Sequence, residues 1–186
     1  ESTFYKVKNG QTYCYDIDQT EHTKIPGQDA FIILDNIRES KEVMSNKDLV
    51  ATDLGDGIVN IEFRSKMNSI GGDVLSGINA AMDLAEKEYD GVVISNTGDN
   101  FSVGADIGMI FMFAVEQEYE ELNAAIKYFQ DTMMRMRYSS VPTVAAPHQM
   151  ALGGGCEISM HADKVVAHAE TYIGLVEFGV GVIPGG

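Results

Sequence analysis

The sequence predicts an α/β fold, because from residue 48 onward short apolar strands alternate with longer amphipathic helices. The chain of 186 residues is long enough to bury a sizeable core, and its hydrophobic content of 45% is typical of a globular protein. Residues 1–47 do not follow this alternation. We therefore predict an N-terminal extension or linker over residues 1–47 and a core over residues 48–186.

The N-terminal extension contains a strong hairpin signal. Asn9-Gly10 stands between two runs in which apolar and polar residues alternate, a pattern typical of a type I′ turn. Residues 18–29 are polar and include Pro26-Gly27, which indicates a loop. A short helix is predicted over residues 29–39, and a link is predicted at residues 45–47.

The elements of the core follow from the spacing of its apolar residues. Strands are predicted at residues 49–53, 58–63, 92–95 and 143–146, the first two joined by a turn at Gly55-Asp56-Gly57. Helices are predicted over residues 73–89, 118–138 and 156–162. In the longest of these helices six apolar residues share one face, which we expect to pack in the core: Leu122, Ala125, Ile126, Phe129, Met133 and Met136.

Two glycine-containing turns each lead from a predicted strand toward a helix. Gly153-Gly154-Gly155 follows the strand at residues 143–146, and Gly104-Ala105 follows the strand at residues 92–95. Glycine permits close backbone approach, and the first N–H groups of a helix have no partner within it. Two such turns could supply two N–H donors to a developing oxyanion.

Two glutamates accompany these turns. Glu157 stands on the first turn of the helix that follows the triple glycine, and Glu177 belongs to a later segment. Two carboxyl groups brought together in this way could act as a general acid/base pair. The alternative is that Glu157 only favours the positive end of the helix dipole and that Glu177 is a surface residue.

The motifs, taken together and in this order, resemble those of the crotonase (enoyl-CoA hydratase/isomerase) superfamily. The matching stretches lie at residues 66–70, 100–107, 142–146, 151–157 and 174–186. The resemblance implies a crotonase-like spiral of strand-strand-helix units. The chain stops at Gly185-Gly186, inside a motif that continues in the family, so we expect the core to be C-terminally truncated.

The resemblance also implies roles for individual residues. The backbone amides of Ala105 and Gly154 match the oxyanion-hole donors, and Glu157 and Glu177, 20 positions apart, match two catalytic glutamates. Leu175-Val176 precedes Glu177 where hydratases usually have Gln-Pro, which bears on the shape of the pocket. Six residues match positions that line the coenzyme A site: Lys66, Met67, Asn68, Ala105, Asp106 and Ile107.

The function implied by the resemblance is hydration of trans-2-enoyl-CoA to 3-hydroxyacyl-CoA in fatty-acid β-oxidation. The coenzyme A thioester would arrive as substrate, with no permanently bound cofactor and no metal. The alternatives are an enoyl-CoA δ-isomerase, which commonly needs only one acid, and a truncated non-catalytic docking domain. The arrangement resembles the hydratase part of a bacterial fusion, which implies an upstream 3-hydroxyacyl-CoA dehydrogenase domain and allows a homo-oligomer.

The charge and the hydropathy pattern exclude other classes of function. The net charge is −15, of which −13 falls on residues 48–186, and this argues against a nucleic-acid partner. No apolar run approaches the ~20 residues needed to span a membrane. Because the first residues show no charged-then-apolar signal pattern and two cysteines make no disulfide framework, a reducing cytoplasm is the expected location.

The remaining chemically active residues are expected to have ordinary roles. Cys156 is interpreted as a small buried residue, with a nucleophile as the alternative. His148 is interpreted as a bystander near the site. His161 and His168 have no carboxylate-rich metal pattern around them.

Overall fold

The computed structural model describes residues 3–186, which form two compact units. One unit ends at Glu42, and the second covers Val43–Gly186. The assignment of residues 1–47 to an extension and of residues 48–186 to the functional core stays a prediction. None of the helices among the described residues is both long and apolar enough to cross a bilayer.

The first unit is built on a three-stranded antiparallel sheet with the order β1-β2-β3, formed by Tyr5–Lys8, Gln11–Asp16 and Glu21–Lys24. Lys8 pairs with Gln11, so the connection has two residues, and Asn9 and Gly10 have φ of 52° and 74°. Positive φ at both positions is what a type I′ turn requires. The predicted hairpin is confirmed.

The third strand of this sheet was not expected, and the prediction of a loop over residues 18–29 is wrong there. Glu21–Lys24 has no apolar alternation and is held by backbone pairing with β2. Asp16 makes the preceding turn, since its carboxylate accepts hydrogen bonds from the N–H groups of Asp18 and Gln19. A strand that pairs through its backbone alone leaves no hydrophobic signal.

The helix of the first unit begins later than predicted. Gln28–Ala30 forms one 3₁₀ turn, and helix α1 covers Leu34–Lys41. Between them the backbone is extended at Phe31 and at Ile33, which has φ −104° and ψ 103°. β-branched residues have a low helix propensity because their χ1 freedom is restricted, which explains why Ile32-Ile33 does not begin the helix.

The second unit contains a six-stranded sheet with the order β10-β8-β7-β6-β5-β4. Strands β5 and β6 are antiparallel, whereas β6, β7, β8 and β10 are parallel neighbours. A separate parallel pair consists of β9 and β11. The strands are β4 (Glu42–Ser45), β5 (Leu49–Gly55), β6 (Ile58–Phe63), β7 (Gly91–Ile94), β8 (Thr143–Ala145), β9 (Met150–Leu152), β10 (Lys164–Val165) and β11 (Tyr172–Gly174).

The helices of the second unit are α2 (Gly72–Glu88), α3 (Ile107–Glu116), α4 (Tyr119–Arg137) and α5 (Gly154–His161), with 3₁₀ turns at Lys66–Asn68 and Glu177–Val180. The predicted alternation of strands and helices is therefore confirmed, apart from Ser45, which belongs to β4 and not to a link. One face of α2 is buried through Val74, Ile78 and Met82, which are fully inaccessible to solvent. These residues pack against the apolar residues of β5, β6 and β7 in one core.

The apolar face predicted for the long helix α4 is only half correct. Met133 and Met136 are fully buried in the core, but Ile126 is 38% exposed. The N-terminal half of the face, with Leu122 and Ala125, lines a cavity. Helical spacing shows which residues share a face but not whether that face meets protein or an open space.

The C-terminal half of α4 is fixed to α2 by an ion-pair network. The Arg135 guanidinium donates to both carboxylate oxygens of Glu86, at 2.6 and 2.7 Å, and to Asp83 at 3.0 Å. Glu86 also accepts from the N–H of Ser140 at 3.0 Å. Bidentate pairs of this kind are among the stronger polar contacts in proteins, so α4 is held firmly beside the core at this end.

Candidate active site

One cavity of the second unit has a volume of about 750 Å³. Its walls are α3, the N-terminal half of α4, the first turn of α5 and the 3₁₀ turn at Glu177–Val180, together with segments around Ile70 and at residues 181–186. Cavities of this size are typical of small-molecule sites.

The turn at Gly104-Ala105 is held by two segments of backbone. On one side, the N–H of Ile70 donates to the carbonyl of Gly104 at 2.8 Å, and the N–H of Asp106 donates to the carbonyl of Ile70 at 3.3 Å. Because Ile70 bonds to the residues on either side of Ala105, the amide of Ala105 itself faces away from Ile70. Ala105 lines the cavity.

Ser102 connects this turn to the strand that leads into the triple glycine. Its N–H donates to the carbonyl of Met150 at 3.1 Å, and its carbonyl accepts from the N–H of Leu152 at 2.9 Å. The Ser102 hydroxyl also accepts from the N–H of Gly104 at 3.1 Å and donates to the carbonyl of Asn68 at 2.7 Å. The two glycine turns are therefore held side by side.

The approach of the two turns depends on glycine at Gly104 and Gly153. Gly104 has a φ of 97°, and Gly153 has φ 51° and ψ −120°, conformations that residues with a side chain rarely adopt. A Cβ on Gly104 would lie 2.9 Å from the carbonyl oxygen of Leu152 and 3.2 Å from the amide nitrogen of Gly154. The amide of Gly154 is thus close to Gly104, on the same wall of the cavity as Ala105.

Glu157 is placed at this wall by the first turn of α5. The residue is only 6% exposed, and its Oε1 accepts a hydrogen bond from the N–H of Gly186 at 2.8 Å. Burial raises the pKa of Glu157 above the ordinary glutamate value, and repulsion by Glu177 raises it further. A carboxyl group with a raised pKa is suited to exchange a proton near neutral pH.

Glu177 reaches the same cavity from the start of the 3₁₀ turn that follows β11. Its Oε1 lies 3.1 Å from the position that a Cβ on Gly153 would occupy. Its Oε2 is buried and has no hydrogen-bond partner among residues 3–186. A buried carboxylate oxygen without a protein partner is typical of a group that binds a ligand or a water.

The cavity lining includes six of the nine predicted site residues: Ala105, Asp106, Ile107, Gly154, Glu157 and Glu177. Asp106 also caps α3, since its carboxylate accepts from the N–H groups of Gly108 and Met109. Lys66, Met67 and Asn68 are not among the lining residues. Their assignment to the coenzyme A site stays a prediction.

The segment that contains these three residues supports the site from outside. Met67 is 58% exposed, and both Met67 and Asn68 have positive φ, of 56° and 52°. The side-chain amide of Asn68 donates to the backbone carbonyl of Asn100 at 2.9 Å, and the backbone carbonyl of Asn68 accepts from the Ser102 hydroxyl. Asn68 thus orders the loop that carries Ala105.

Sequence reasoning missed the residues that make the apolar walls of the cavity. Ile70, Met109, Ile110, Phe113 and Val176 line it, as does the N-terminal half of the α4 face. The signal available in the sequence was the composition of α3, Ile-Gly-Met-Ile-Phe-Met-Phe-Ala-Val-Glu, which is apolar on every side. None of its residues is buried, so this helix is not a core element.

The other chemically active side chains have structural partners. Cys156 is buried, and burial, together with the nearby Glu157 and Glu177, raises the pKa of its thiol, which disfavours a thiolate nucleophile. His148 Nε2 is hydrogen-bonded to the carbonyl of Gly98, and His161 Nδ1 to the carbonyl of Glu157. Within the described part of the chain, no three His, Cys, Asp or Glu residues group in a way that could hold a metal ion.

Comparison with known proteins gives one family. A sequence model described as enoyl-CoA hydratase/isomerase matches residues 53–186. A Bacillus subtilis (strain 168) protein named "Probable 3-hydroxyacyl-CoA dehydrogenase" is 42% identical over 185 residues, which cover 99% of this chain and 23% of that protein. A Rickettsia prowazekii protein, named as a candidate fatty acid oxidation complex trifunctional enzyme, is 34% identical over 165 residues. These cover 89% of this chain and 23% of that protein.

Solved structures that resemble this fold include enoyl-CoA hydratases. An enoyl-CoA hydratase from Thermoplasma volcanium GSS1 is similar with a TM-score of 0.66 and 26% identity, covering 75% of this chain and 56% of that one. An enoyl-CoA hydratase from Shewanella pealeana ATCC 700345 has a TM-score of 0.68 at 21% identity, covering 74% and 53%. The predicted crotonase-like α/β fold is confirmed. The chain spans about a quarter of the length of the curated relatives that it matches.

Proposed function

The chain belongs to the enoyl-CoA hydratase/isomerase family, and on this premise we propose that it hydrates trans-2-enoyl-CoA to 3-hydroxyacyl-CoA. The observation that carries the proposal is the meeting of two carboxyl groups and two glycine turns at one cavity. Glu157 is buried with a raised pKa, and Glu177 has a buried oxygen that no residue in the described range 3–186 satisfies.

The thioester carbonyl of the substrate would lie against the amides of Ala105 and Gly154. As water adds, negative charge develops on this oxygen, and two fixed N–H donors stabilise it without reorganisation. One such donor lowers the activation free energy by about 3 kcal/mol. The packing of Gly104 against the Gly153-Gly154 turn supports this role, because it brings the two turns to one wall.

The two glutamates would hold one water between them. One carboxylate takes a proton from the water, whose oxygen then bonds to C3, and the other carboxyl group delivers a proton to C2. The carbon–carbon double bond becomes a single bond. The proton that one carboxylate takes from the water balances the proton that the other carboxyl group gives to C2. No electron acceptor is needed, because hydration is not a net oxidation, and coenzyme A enters only as part of the substrate.

The product of this reaction is the substrate of a 3-hydroxyacyl-CoA dehydrogenase, the activity in the name of the Bacillus subtilis relative. We therefore propose that the chain serves as the hydratase part of a longer fatty-acid oxidation protein with a dehydrogenase domain upstream. We further propose that the protein is cytoplasmic and that it forms a homo-oligomer.

The test of the two acids is substitution in the full-length protein. Glu157→Gln and Glu177→Gln keep the size of each side chain and remove its proton chemistry, so each should lower the rate of crotonyl-CoA hydration by about 10²- to 10⁴-fold. Glu118→Gln, an exposed glutamate outside the cavity, is the matched control. Rates near wild type in both cavity variants would show that these carboxyls do not carry the reaction.

A second assay separates hydration from the isomerase and docking alternatives. Two acids favour hydration, so the full-length protein should turn over 2-enoyl-CoA faster than it shifts the double bond of 3-enoyl-CoA. Faster isomerisation would favour the δ-isomerase. The absence of turnover on both substrates, with acyl-CoA binding lost as well, would favour a non-catalytic docking domain.

A further inference from the structure

The hydroxyl of Ser102 has no part in the reaction proposed above, although it lies next to the site. Ser102 is fully inaccessible to solvent and is not among the residues that line the cavity, so its side chain does not touch the substrate. Its Oγ makes two hydrogen bonds to backbone groups, one to the carbonyl of Asn68 at 2.7 Å and one from the N–H of Gly104 at 3.1 Å. A buried side chain of this kind acts on a reaction through the conformation of the backbone that it holds.

The chemistry of the two partners fixes the orientation of this hydroxyl. The carbonyl of Asn68 can only accept, so it takes the single proton of the Ser102 hydroxyl. The N–H of Gly104 can only donate, so it uses a lone pair of the same oxygen. Because another rotation of the hydroxyl would leave the Asn68 carbonyl without its donor, the Ser102 oxygen is held in one orientation.

Hydrogen bonds fix Gly104 on both sides. Its N–H donates to Ser102 Oγ, and its carbonyl accepts from the N–H of Ile70 at 2.8 Å. Because each peptide unit is planar and trans, these two bonds fix the planes before and after Gly104, whose φ is 97°. In the second plane the N–H of Ala105 points opposite to the carbonyl of Gly104, away from Ile70. The Ser102 hydroxyl therefore helps to set the direction of the Ala105 amide.

Ser102 also contacts the turn that carries the second amide of the site. A Cβ on Gly155 would lie 2.8 Å from Ser102 Cβ and 3.2 Å from its Oγ, so the first turn of α5 packs directly on this side chain. The backbone of Ser102 binds the strand that precedes that turn, since its carbonyl accepts from the N–H of Leu152 at 2.9 Å. One residue thus touches both glycine turns.

From these contacts we propose that Ser102 is a positioning residue for the oxyanion hole, whose hydroxyl aligns the amide of Ala105 with that of Gly154. The inference rests on the hydration proposed above, because it assigns Ser102 to the oxyanion hole of that reaction. Without the hydroxyl, the N–H of Gly104 loses its partner, and the turn is free to rotate toward another one. The Ala105 amide is then displaced from the thioester oxygen. The loss falls on the charged state of the substrate, because the negative charge on this oxygen develops only during the reaction.

The first experiment measures the stabilisation of an enolate without turnover. Acetoacetyl-CoA ionises to an enolate, whose ultraviolet absorption is titrated against pH while the compound is bound to the full-length protein. Removal of one oxyanion donor costs about 10²- to 10³-fold, and Ser102→Ala displaces a donor without removing it. We therefore expect this variant to weaken the preference for the bound enolate about tenfold, and to change the affinity for butanoyl-CoA by less than about twofold. An unchanged enolate preference would overturn the proposal.

A matched control separates this role from a general loss of stability. Thr132 is also buried, and its hydroxyl donates to the carbonyl of Tyr128 at 2.8 Å and accepts from the side-chain amide of Asn79 at 2.8 Å. Thr132→Val removes these two bonds in α4, at a position outside the cavity lining. Both variants should lower Tm, but only Ser102→Ala should lower kcat for crotonyl-CoA, by about tenfold with little change in KM. An equal loss of kcat in Thr132→Val would contradict the positioning role.

Ser102→Cys keeps the proposal testable if Ser102→Ala does not fold. A thiol is a weak donor and a weak acceptor, so this variant keeps both bonds in weakened form. Its enolate preference and its kcat should both fall below those of the wild type, by less than the tenfold expected for Ser102→Ala. Wild-type values in both measurements would overturn the proposal.

Turnover of crotonyl-CoA by the wild-type protein distinguishes this inference from the hydration proposal. If the enolate is stabilised and Ser102→Ala weakens it, but crotonyl-CoA is not hydrated, the hydration proposal fails and the role of Ser102 stands. If crotonyl-CoA is hydrated but Ser102→Ala leaves both kcat and the enolate preference unchanged, hydration stands and the role of Ser102 fails. A wild-type protein that does not favour the enolate has no oxyanion hole to align, and this result also overturns the role of Ser102.

Discussion

Gly153→Ala is the substitution that most directly probes the link between backbone conformation and the site. Gly153 has φ 51° and ψ −120°, a combination that costs a residue with a Cβ about 1–3 kcal/mol. The added Cβ would also lie 3.1 Å from Oε1 of Glu177, closer than an ordinary contact. Either the Glu177 carboxylate, proposed to hold the water, moves by a few tenths of an ångström, or the turn shifts and displaces the Gly154 amide, proposed to bind the thioester oxygen.

Two quantities should therefore change together. The free energy of unfolding, measured by urea denaturation, should fall by about 2 kcal/mol, the middle of the range for such backbone strain. The kcat for crotonyl-CoA hydration should fall by about 10- to 100-fold, since sub-ångström misplacement of a catalytic group is sufficient for such a loss. The fold should survive, because the strain is confined to one turn.

The control is Gly174→Ala in the neighbouring strand. Gly174 accepts the hydrogen bond from the N–H of Gly153 at 3.0 Å, but a Cβ on it would meet no atom within 4 Å. It tests the insertion of a methyl group next to the same turn without strain or contact with Glu177. If Gly153→Ala behaves like Gly174→Ala in both measurements, then neither the conformation of Gly153 nor its contact with Glu177 matters, and the reasoning is refuted.

Three further predictions concern the oxyanion donor, the ion-pair network and the core. Gly154→Pro should abolish hydration with little loss of helix content by circular dichroism, because proline removes the N–H donor but is tolerated at the first residue of a helix; retained activity would contradict the oxyanion role. Arg135 lowers the pKa of Glu86 from 4.5 to about 2, so Glu86 stabilises the fold above about pH 4.5 and this contribution is lost as the pH falls toward 2. After a discount for partial exposure, Glu86→Gln should cost about 2 kcal/mol at neutral pH and flatten the acid dependence of Tm, and an unchanged pH profile would contradict this. Met133→Ala should cost about 3 kcal/mol in urea unfolding because Met133 is fully buried, whereas Met134→Ala, at a position 46% exposed, should cost well under 1 kcal/mol.

Local sequence patterns predicted most of the secondary-structure elements of the fold. Asn9-Gly10 produced the hairpin because a two-residue turn with positive φ needs these residue types whatever surrounds them. The strands at Leu49–Gly55 and Ile58–Phe63 and the helix at Gly72–Glu88 appeared where their apolar periodicity placed them. The strand at Glu21–Lys24 could not be found in this way, because its stability comes from backbone bonds to a neighbour and not from its own side chains.

The long helix α4 shows what apolar periodicity cannot predict, namely what the apolar face packs against. Its apolar face was visible in the sequence, yet Met133 and Met136 are buried in the core while Ile126 and Leu122 line a cavity. The residue types are equivalent at the two ends of the helix. The difference lies in what stands opposite, and that is decided by how α3 and the loops are placed, through contacts between residues far apart in the chain.

By itself the sequence determined which groups are available for chemistry: glycine at the two turns, and glutamates at positions 157 and 177. It also determined the local elements that carry them, since periodicity and turn residues act over a few neighbours. Only the tertiary structure decided that Glu157 is buried, that one oxygen of Glu177 has no partner among the described residues, and that the two turns share a wall. A pKa or an unsatisfied oxygen depends on burial and on neighbouring charge, and the folded chain brings those neighbours from segments as distant as Ile70 and Gly186.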